Sequence, residues 1–514
     1  MTQMTKKGFS KTCLLLATIL LALTGITPGL QAQVARRPNI IFIMADDLGY
    51  GSLGCYGQTK IKTPNIDRLA ASGLKFTQYY ADPICSPSRC GLLTGKDMAH
   101  AYIRDNYEIG GFDFTDAGER GQMPLPDNTV TFPGLLRQGG YTTALIGKWG
   151  LGGPNTSGVP TRQGFNYFFG YLGQRQAHNY YPTHLWRNDQ KVMLGNTYFS
   201  PHQSFAKGAD PNDIKNYARY SGRVYSCDTM AADVLRFIRE HTSRPFFLEF
   251  SPTIPHVALQ VTQKALERYE GQFDDQPMPN TGYLPSFRPR QTYAAMISLL
   301  DDYVGQIVAT LKEQGLLDNT LIIFTSDNGA PDGEGGTPAR YFEANGPWRG
   351  YKGDVFEGGI RVPLIACWPG VIQAGSQTDH PTTIWDMFAT FCDLSGTKIP
   401  ENSFAGRVET QGISIAPLLT GKGQQSTHAY LYWELASRHN GEQAVRLGDW
   451  KGIRLNAKED PSGPVLLYNL KTDPAEKIDQ AAAHPDIVQK IEQLMKKRTL
   501  SHLNEWNFEY KTPG

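Results

Sequence analysis

Asn39-Ile40-Ile41-Phe42-Ile43-Met44-Ala45 is a continuous apolar run that stops abruptly at Asp46-Asp47. A run of this length without polar alternation suits a strand covered on both faces, as in a parallel sheet. Residues 141–146 and 320–325 repeat the pattern, and each again meets polar residues at its carboxyl end: Lys148 after the first, Asp327-Asn328 after the second. Between them, residues 292–314 show helical spacing at Met296, Leu300, Tyr303, Ile307 and Leu311, with Gly315 as a stop. Thr63-Pro64 reads as the cap and first position of another helix, which Gly73 ends. The alternation predicts an α/β domain with a large, mostly parallel central sheet flanked by helices. Ligands in such sheets sit at the carboxyl ends of strands, so the three polar clusters are candidates for one site.

The pattern changes near residue 425. Short strand-like runs at 429–435, 443–447, 451–455 and 465–470 are separated by turns such as Asn440-Gly441, and residues 485–496 read as a helix. A small C-terminal antiparallel sheet with one helix is expected there. At the other end, Lys6, Lys7 and Lys11 precede the apolar stretch 13–26, and small and polar residues follow near Ala32. This reads as a secretory signal peptide cleaved near Gln33. The alternative, a membrane anchor, needs an apolar run of about 20 residues. The expected organisation is a leader over 1–33, a main body over 34–424 and an α+β subdomain over 425–514. The mature chain is expected in the periplasm or secreted, with no membrane span.

The chain has 514 residues, with 50 Lys+Arg against 49 Asp+Glu, and loss of the leader's three lysines leaves a net charge of −2. No broad basic face follows, which argues against a nucleic-acid partner. Hydrophobic residues at 40% and charged residues at 19% exclude a disordered chain. Seven cysteines, one of them in the leader, are sparse for a secreted chain of this size, so disulfides are not its main staple.

Cys85-Ser86-Pro87-Ser88-Arg89-Cys90-Gly91-Leu92-Leu93-Thr94-Gly95 is the most specific string. Pro87 fits a helix's first turn and Gly95 its end, which puts Cys85 where the helix dipole favours anions. Arg89 lies one turn on, on the same side. A cysteine at such a position is expected to be an acidified thiol. Asp46, Asp47, Asp327 and Asn328 offer hard oxygen donors suited to Ca²⁺ or Mg²⁺. Alone, each pair is more often a solvated turn or a helix cap, but both pairs end apolar strands, which favours the site.

With PNIIFIMADDLGYG, GKWG, SPTIPH, SDNG and GYKGDVFEGGIRVP in the same order along the chain, the string resembles the signature of the type I sulfatases, within the alkaline phosphatase-like superfamily. The resemblance implies that a maturation enzyme oxidises Cys85 to formylglycine, whose hydrate is the nucleophile. It implies that Asp46, Asp47, Asp327 and Asn328 hold one Ca²⁺, with residue 85 completing the shell and Mg²⁺ as the alternative ion. Lys148 would bind a sulfate oxygen, His256 and Lys352 would contact sulfate and protonate the leaving oxygen, and Arg89 would help neutralise charge. Glu357 and the residues after it are read as shaping their loop. One departure stands out: the family often has histidine where this chain has Gly150. His178 is the candidate replacement base. It lies in residues 171–186, whose aromatic, amide and imidazole groups suit a polar ring-shaped ligand, with Arg175 and His178 as substrate contacts. The expected substrate is a sulfated saccharide. Phosphonate or phosphodiester hydrolysis and non-catalytic binding of a sulfated glycan are the alternatives.

Overall fold

The computed structural model describes residues 37–110, 121–400 and 410–509. The expected leader, with Cys13, lies outside them. From Pro38 onward the chain forms one compact unit.

The apolar run Asn39–Ala45 is a strand in which no side chain from Ile40 to Ala45 reaches solvent. It pairs in parallel with Phe246–Ser251 on one side and Thr320–Ser326 on the other, with Ile40 opposite Phe247 and Leu321. Its side chains divide by parity, as the pleat requires. Ile40, Phe42 and Met44 enter one core, while Ile41, Ile43 and Ala45 enter the other. Burying each of the large ones stabilises the fold by about 1.5–3 kcal/mol. The absence of alternation in the sequence therefore has a direct cause, namely two apolar faces.

Ten strands make the main sheet, in the order Ser376–Thr378, Leu74–Phe76, Leu364–Cys367, Thr320–Ser326, Asn39–Ala45, Phe246–Ser251, Thr142–Lys148, Tyr167–Tyr171, His184–Arg187 and Gln190–Met193. The five from Thr320–Ser326 to Tyr167–Tyr171 are parallel. Leu364–Cys367 is antiparallel to its neighbours, and the far edge is an antiparallel ribbon. The helix read over 292–314 runs Pro289–Glu313, its proline in the first turn. By length and composition it could cross a membrane, yet most of it is buried in the fold. It covers one face of the sheet through Met296, Leu300 and Ile307. On the other face lie Phe132–Gln138 and Asp386–Ser395, through Phe132, Phe388 and Phe391.

The C-terminal strands Leu431–Leu435, Glu442–Leu447, Trp450–Arg454 and Val465–Asn469 form an antiparallel sheet in sequence order. Helix Pro485–Met495 buries Ile491 and Met495 against Val445, Val465 and Leu467. Trp433 of this sheet belongs to the main core, and its indole donates to the carbonyl of Ala81 at 3.0 Å. At the same junction Lys451, wholly buried, lies 3.0 Å from Glu357 and 2.9 Å from Glu476. Glu357 also accepts from Tyr80 and Arg361, which fits a loop-shaping role.

Candidate active site

Four adjacent strands deliver one cluster. In sheet order they end in Asp327-Asn328, Asp46-Asp47, the turn leading to His256, and Lys148. The strand Phe246–Ser251, which brings His256, was not among the runs read from the sequence. Helix Cys85–Thr94 abuts the cluster through its first residue and ends where Gly95, at φ 68°, takes the left-handed cap.

Cys85 Sγ lies 3.4 Å from Asp46 Oδ1 and 3.9 Å from Asp47 Oδ1. Asp327 Oδ1 accepts from the Asp47 amide at 3.1 Å, and the Asn328 amide group donates to Asp47 Oδ1 at 2.7 Å. All five residues are buried. Each carboxylate has a near cation: Asp46 has Lys148 at 2.7 Å, with Arg89 further off at 3.9 Å, Asp47 has Lys352 at 2.9 Å and Asp327 has Arg89 at 2.8 Å. Burial would raise Asp46, but Lys148 and Arg89 outweigh it and hold the carboxyl low. Asp47 is pushed up to about 7 by burial, with Asp46 and Asp327 adding to it against Lys352. Asn328 Oδ1 is buried without a hydrogen-bond partner. A free amide oxygen among three crowded carboxylates has the chemistry of a hard-cation site. Asp46, Asp47, Cys85 and His256 also offer ligand atoms within 4.8 Å of one another.

The expectation of an acidified thiol is corrected. Burial, then Asp327, push the Cys85 thiol well up, and Lys148 and Lys352 do not offset them. A helix terminus cannot acidify a thiol that is desolvated among carboxylates. Arg89 stands behind the cluster, donating to Asp327 and, at 2.8 Å, to the Lys148 carbonyl. It ties the helix to two strand ends, with its charge placed nearest Asp327 and next Asp46.

His256 Nδ1 faces the Val257 carbonyl at 2.5 Å, so that nitrogen carries the proton and Nε2 accepts from Lys352 at 3.0 Å. Burial, with Lys352 and Lys148 nearby, holds His256 well below its ordinary range. For Lys352 burial opposes the charge, but Asp47 and Glu334 outweigh it and keep the ammonium well above its usual range. Glu334 Oε2 lies 3.8 Å from Lys352, which with lesser neighbours lowers its carboxyl to about 2, and Tyr283 donates to it at 2.8 Å. The Tyr180 hydroxyl meets the carbonyls of Thr253 and His256 at 2.5 and 2.6 Å and fixes that turn.

His256, Lys352 and Glu334 line a cavity of about 210 Å³ with Arg175, His178, His202 and Tyr283. Arg175 pairs with Glu108 on its wall at 3.3 Å. His178 stacks on His256 with ring centres 4.7 Å apart. Its Nδ1 lies 2.9 Å from His202 Nε2, and His202 Nδ1 lies 3.1 Å from the Gly282 carbonyl. That carbonyl can only accept, so in the neutral pair each Nδ1 donates and His178 Nε2 keeps its lone pair. Gly150 has φ 80°, and the space a side chain would need is filled by Gln174, whose amide donates to Ser86 at 2.8 Å. His184, Trp186, Tyr180 and Tyr181, from the same ligand-like stretch, are buried packing residues instead. Sequence reading missed Glu334, Tyr283, His202 and Gln174. Glu334 left a signal, as the acid of a glycine-rich turn shortly after Asp327-Asn328, and Gln174 left one as an amide of the stretch 171–186.

The Sulfatase family profile matches residues 38–397, and that of the N-sulphoglucosamine sulphohydrolase C-terminal region matches 350–504. Human arylsulfatase A is 31% identical, over 90% of this chain and 87% of its own. Human steryl-sulfatase is 30% identical, over 87% and 85%. Among solved structures, Ps i-CgsB in complex with k-i-k-neocarrahexaose superimposes with a TM-score of 0.70 at 27% identity, covering 90% of this chain and 92% of that one.

Proposed function

The chain belongs to the sulfatase family and is a sulfuric ester hydrolase, and from that premise we propose that it desulfates a saccharide through a formylglycine made from Cys85, beside a calcium ion. One observation carries the reading: Cys85 sits 3.4 Å from Asp46, in a cluster whose Lys352 and His256 open onto the cavity. The ligands would be Asp46, Asp47, Asp327 and Asn328, whose free oxygen fits a hard cation. When bound, calcium supplies positive charge against the ester sulfate, and the aldehyde hydrate at position 85 supplies an oxygen nucleophile in place of a protonated thiol.

The chain's own residues do the rest. Lys148 and Lys352 hold sulfate oxygens in a site that needs no reorganisation as charge shifts toward the leaving group. Of the two acids expected from the sequence, the hydrogen bonding favours Lys352, because His256 Nε2 accepts from it. Lys352 protonates the leaving oxygen and His256 steadies its ammonium. Arg89 acts as a positioning residue, holding Asp327 and the Lys148 backbone. With Gly150 lacking a side chain, His178 is the base, its lone pair fixed by His202.

A wall of carboxylate, imidazole and phenol acceptors suits sugar hydroxyls better than an apolar ring system, and the hexaose complex of Ps i-CgsB points the same way. Cys85 is 1% exposed once folded, so the maturation enzyme reads its segment before folding. The leader supports export to the periplasm or medium. Sulfate release from a panel of defined sulfated sugars, with Cys85→Ala as control, tests the reading. Release by the parent and none by the variant is expected. A fully active Cys85→Ala enzyme, or a parent active only on aryl and steroid esters, would refute it.

A further inference from the structure

A second, larger depression of about 460 Å³ lies beside the reaction cavity, bordered by Asn196, Tyr198, Phe199, Gln203, Arg219 and Arg223. The chemistry described above uses none of these residues. Gln203 lines the depression while its chain neighbour His202 lines the reaction cavity, so a single loop forms the wall between them. Consecutive Cα atoms are only about 3.8 Å apart. The loop is braced from behind. Asn179 donates to the Phe199 carbonyl at 3.1 Å, and Asn196 donates to the carbonyls of Pro182 and Val224 at 3.0 and 2.8 Å while accepting from the Arg223 amide at 2.9 Å.

Its charge is one-sided. Arg219 and Arg223 are both exposed, and among the described residues neither guanidinium has a carboxylate within ion-pair distance. Arg219 lies over the Tyr220 ring, 5.6 Å from its centre, which restrains its plane. Tyr198 is 41% exposed on the same rim. A guanidinium pair recognises sulfate or carboxylate oxygens.

We propose that this depression is a second saccharide subsite, in which Arg219 and Arg223 bind an anionic group on a sugar ring flanking the one whose sulfate ester is cleaved. The assignment rests on the saccharide reading above. It also makes the enzyme one that recognises a chain rather than a single sugar.

The test uses the full, matured chain and three probes: 4-nitrophenyl sulfate, a carrageenan hexasaccharide whose only anions are sulfates, and a chondroitin hexasaccharide sulfated on its terminal ring alone. For Arg219→Ala/Arg223→Ala, KM for a hexasaccharide should rise about tenfold, the loss of roughly one charge-assisted pair, with kcat little changed. Turnover of 4-nitrophenyl sulfate should be unaffected, and Arg219→Lys/Arg223→Lys should recover part of the loss. A rise with carrageenan identifies a flanking sulfate, and a rise with chondroitin a flanking carboxylate. Equal losses on all three probes, or no rise on either hexasaccharide, would overturn the subsite. Calorimetric titration of both hexasaccharides is read in parallel. No binding by the parent, or equal binding by the double variant, overturns the subsite even where sulfate release from monosaccharides upholds the saccharide reading.

Discussion

The side-chain nitrogen of Gln174 lies 2.5 Å from where a β-carbon on Gly150 would stand. The position where the family resemblance leads to the expectation of a histidine is thus closed here, both by an occupant and by a backbone at φ 80° that disfavours any side chain. Gly150→His alone should cost about 1–2 kcal/mol for the left-handed backbone, plus the displacement of Gln174 from Ser86. Urea denaturation and sulfate release should show a less stable enzyme with no gain in rate. Pairing it with Gln174→Ala should recover part of the stability.

Glu334 bears on the pH profile through Lys352. A carboxylate beside an ammonium raises that ammonium's pKa, and Glu334, lowered to about 2, stays charged throughout the working range. Lys352 must be protonated to act as the acid, so activity falls as pH rises through its pKa. Removing the negative charge lowers that pKa. Glu334→Gln should therefore move the alkaline limb of kcat/KM to lower pH by about one unit and leave the acid limb in place. A profile unchanged on the alkaline side would exclude Lys352 as the acid.

His178 and His202 should separate by degree. If His178 is the base, as proposed, His178→Ala should lower kcat by about 100-fold. His202→Phe keeps the ring but removes the acceptor that orients His178, so a loss of about tenfold is expected, with the acid limb displaced. Burial and the neighbouring His256 and His202 hold His178 well below the ordinary imidazole range, so its neutral form should persist into mildly acidic solution. Steady-state rates across pH measure all three. Full turnover by His178→Ala would remove the base role.

Lys451 tests how the C-terminal sheet is held to the body. It is wholly buried between Glu357 and Glu476, and Lys451→Ala leaves Glu476 without its cation and Glu357 with Arg361 as its remaining one. A loss of about 3–5 kcal/mol is expected from urea denaturation. Activity per folded molecule should be retained at low temperature, because the lysine does not line the reaction cavity.

The two-sided strands were legible because burial on both faces forces an uninterrupted apolar run, as at Asn39–Ala45. Phe246–Ser251 escaped notice because Glu249 breaks the run, although that side chain too is buried. Metal-ligand candidates were legible because each stands immediately after a strand. Glu334, Tyr283, His202 and Gln174 were not, since their roles arise where loops distant in sequence meet, as in the 2.8 Å contact between Tyr283 and Glu334. The stretch 171–186 misled in part. An aromatic side chain serves a core as readily as a ligand wall, and Tyr180, Tyr181 and Trp186 serve the core.

The proposed chemistry turns on one atom, the sulfur of Cys85. Mass analysis of the peptide spanning residues 85–95, taken from exported and catalytically active protein and treated with an aldehyde-trapping hydrazide, tests it most directly. The thiol should be absent, the hydrazide adduct present, and elemental analysis should find one calcium per chain. Fully active protein with an intact thiol at residue 85 would contradict it.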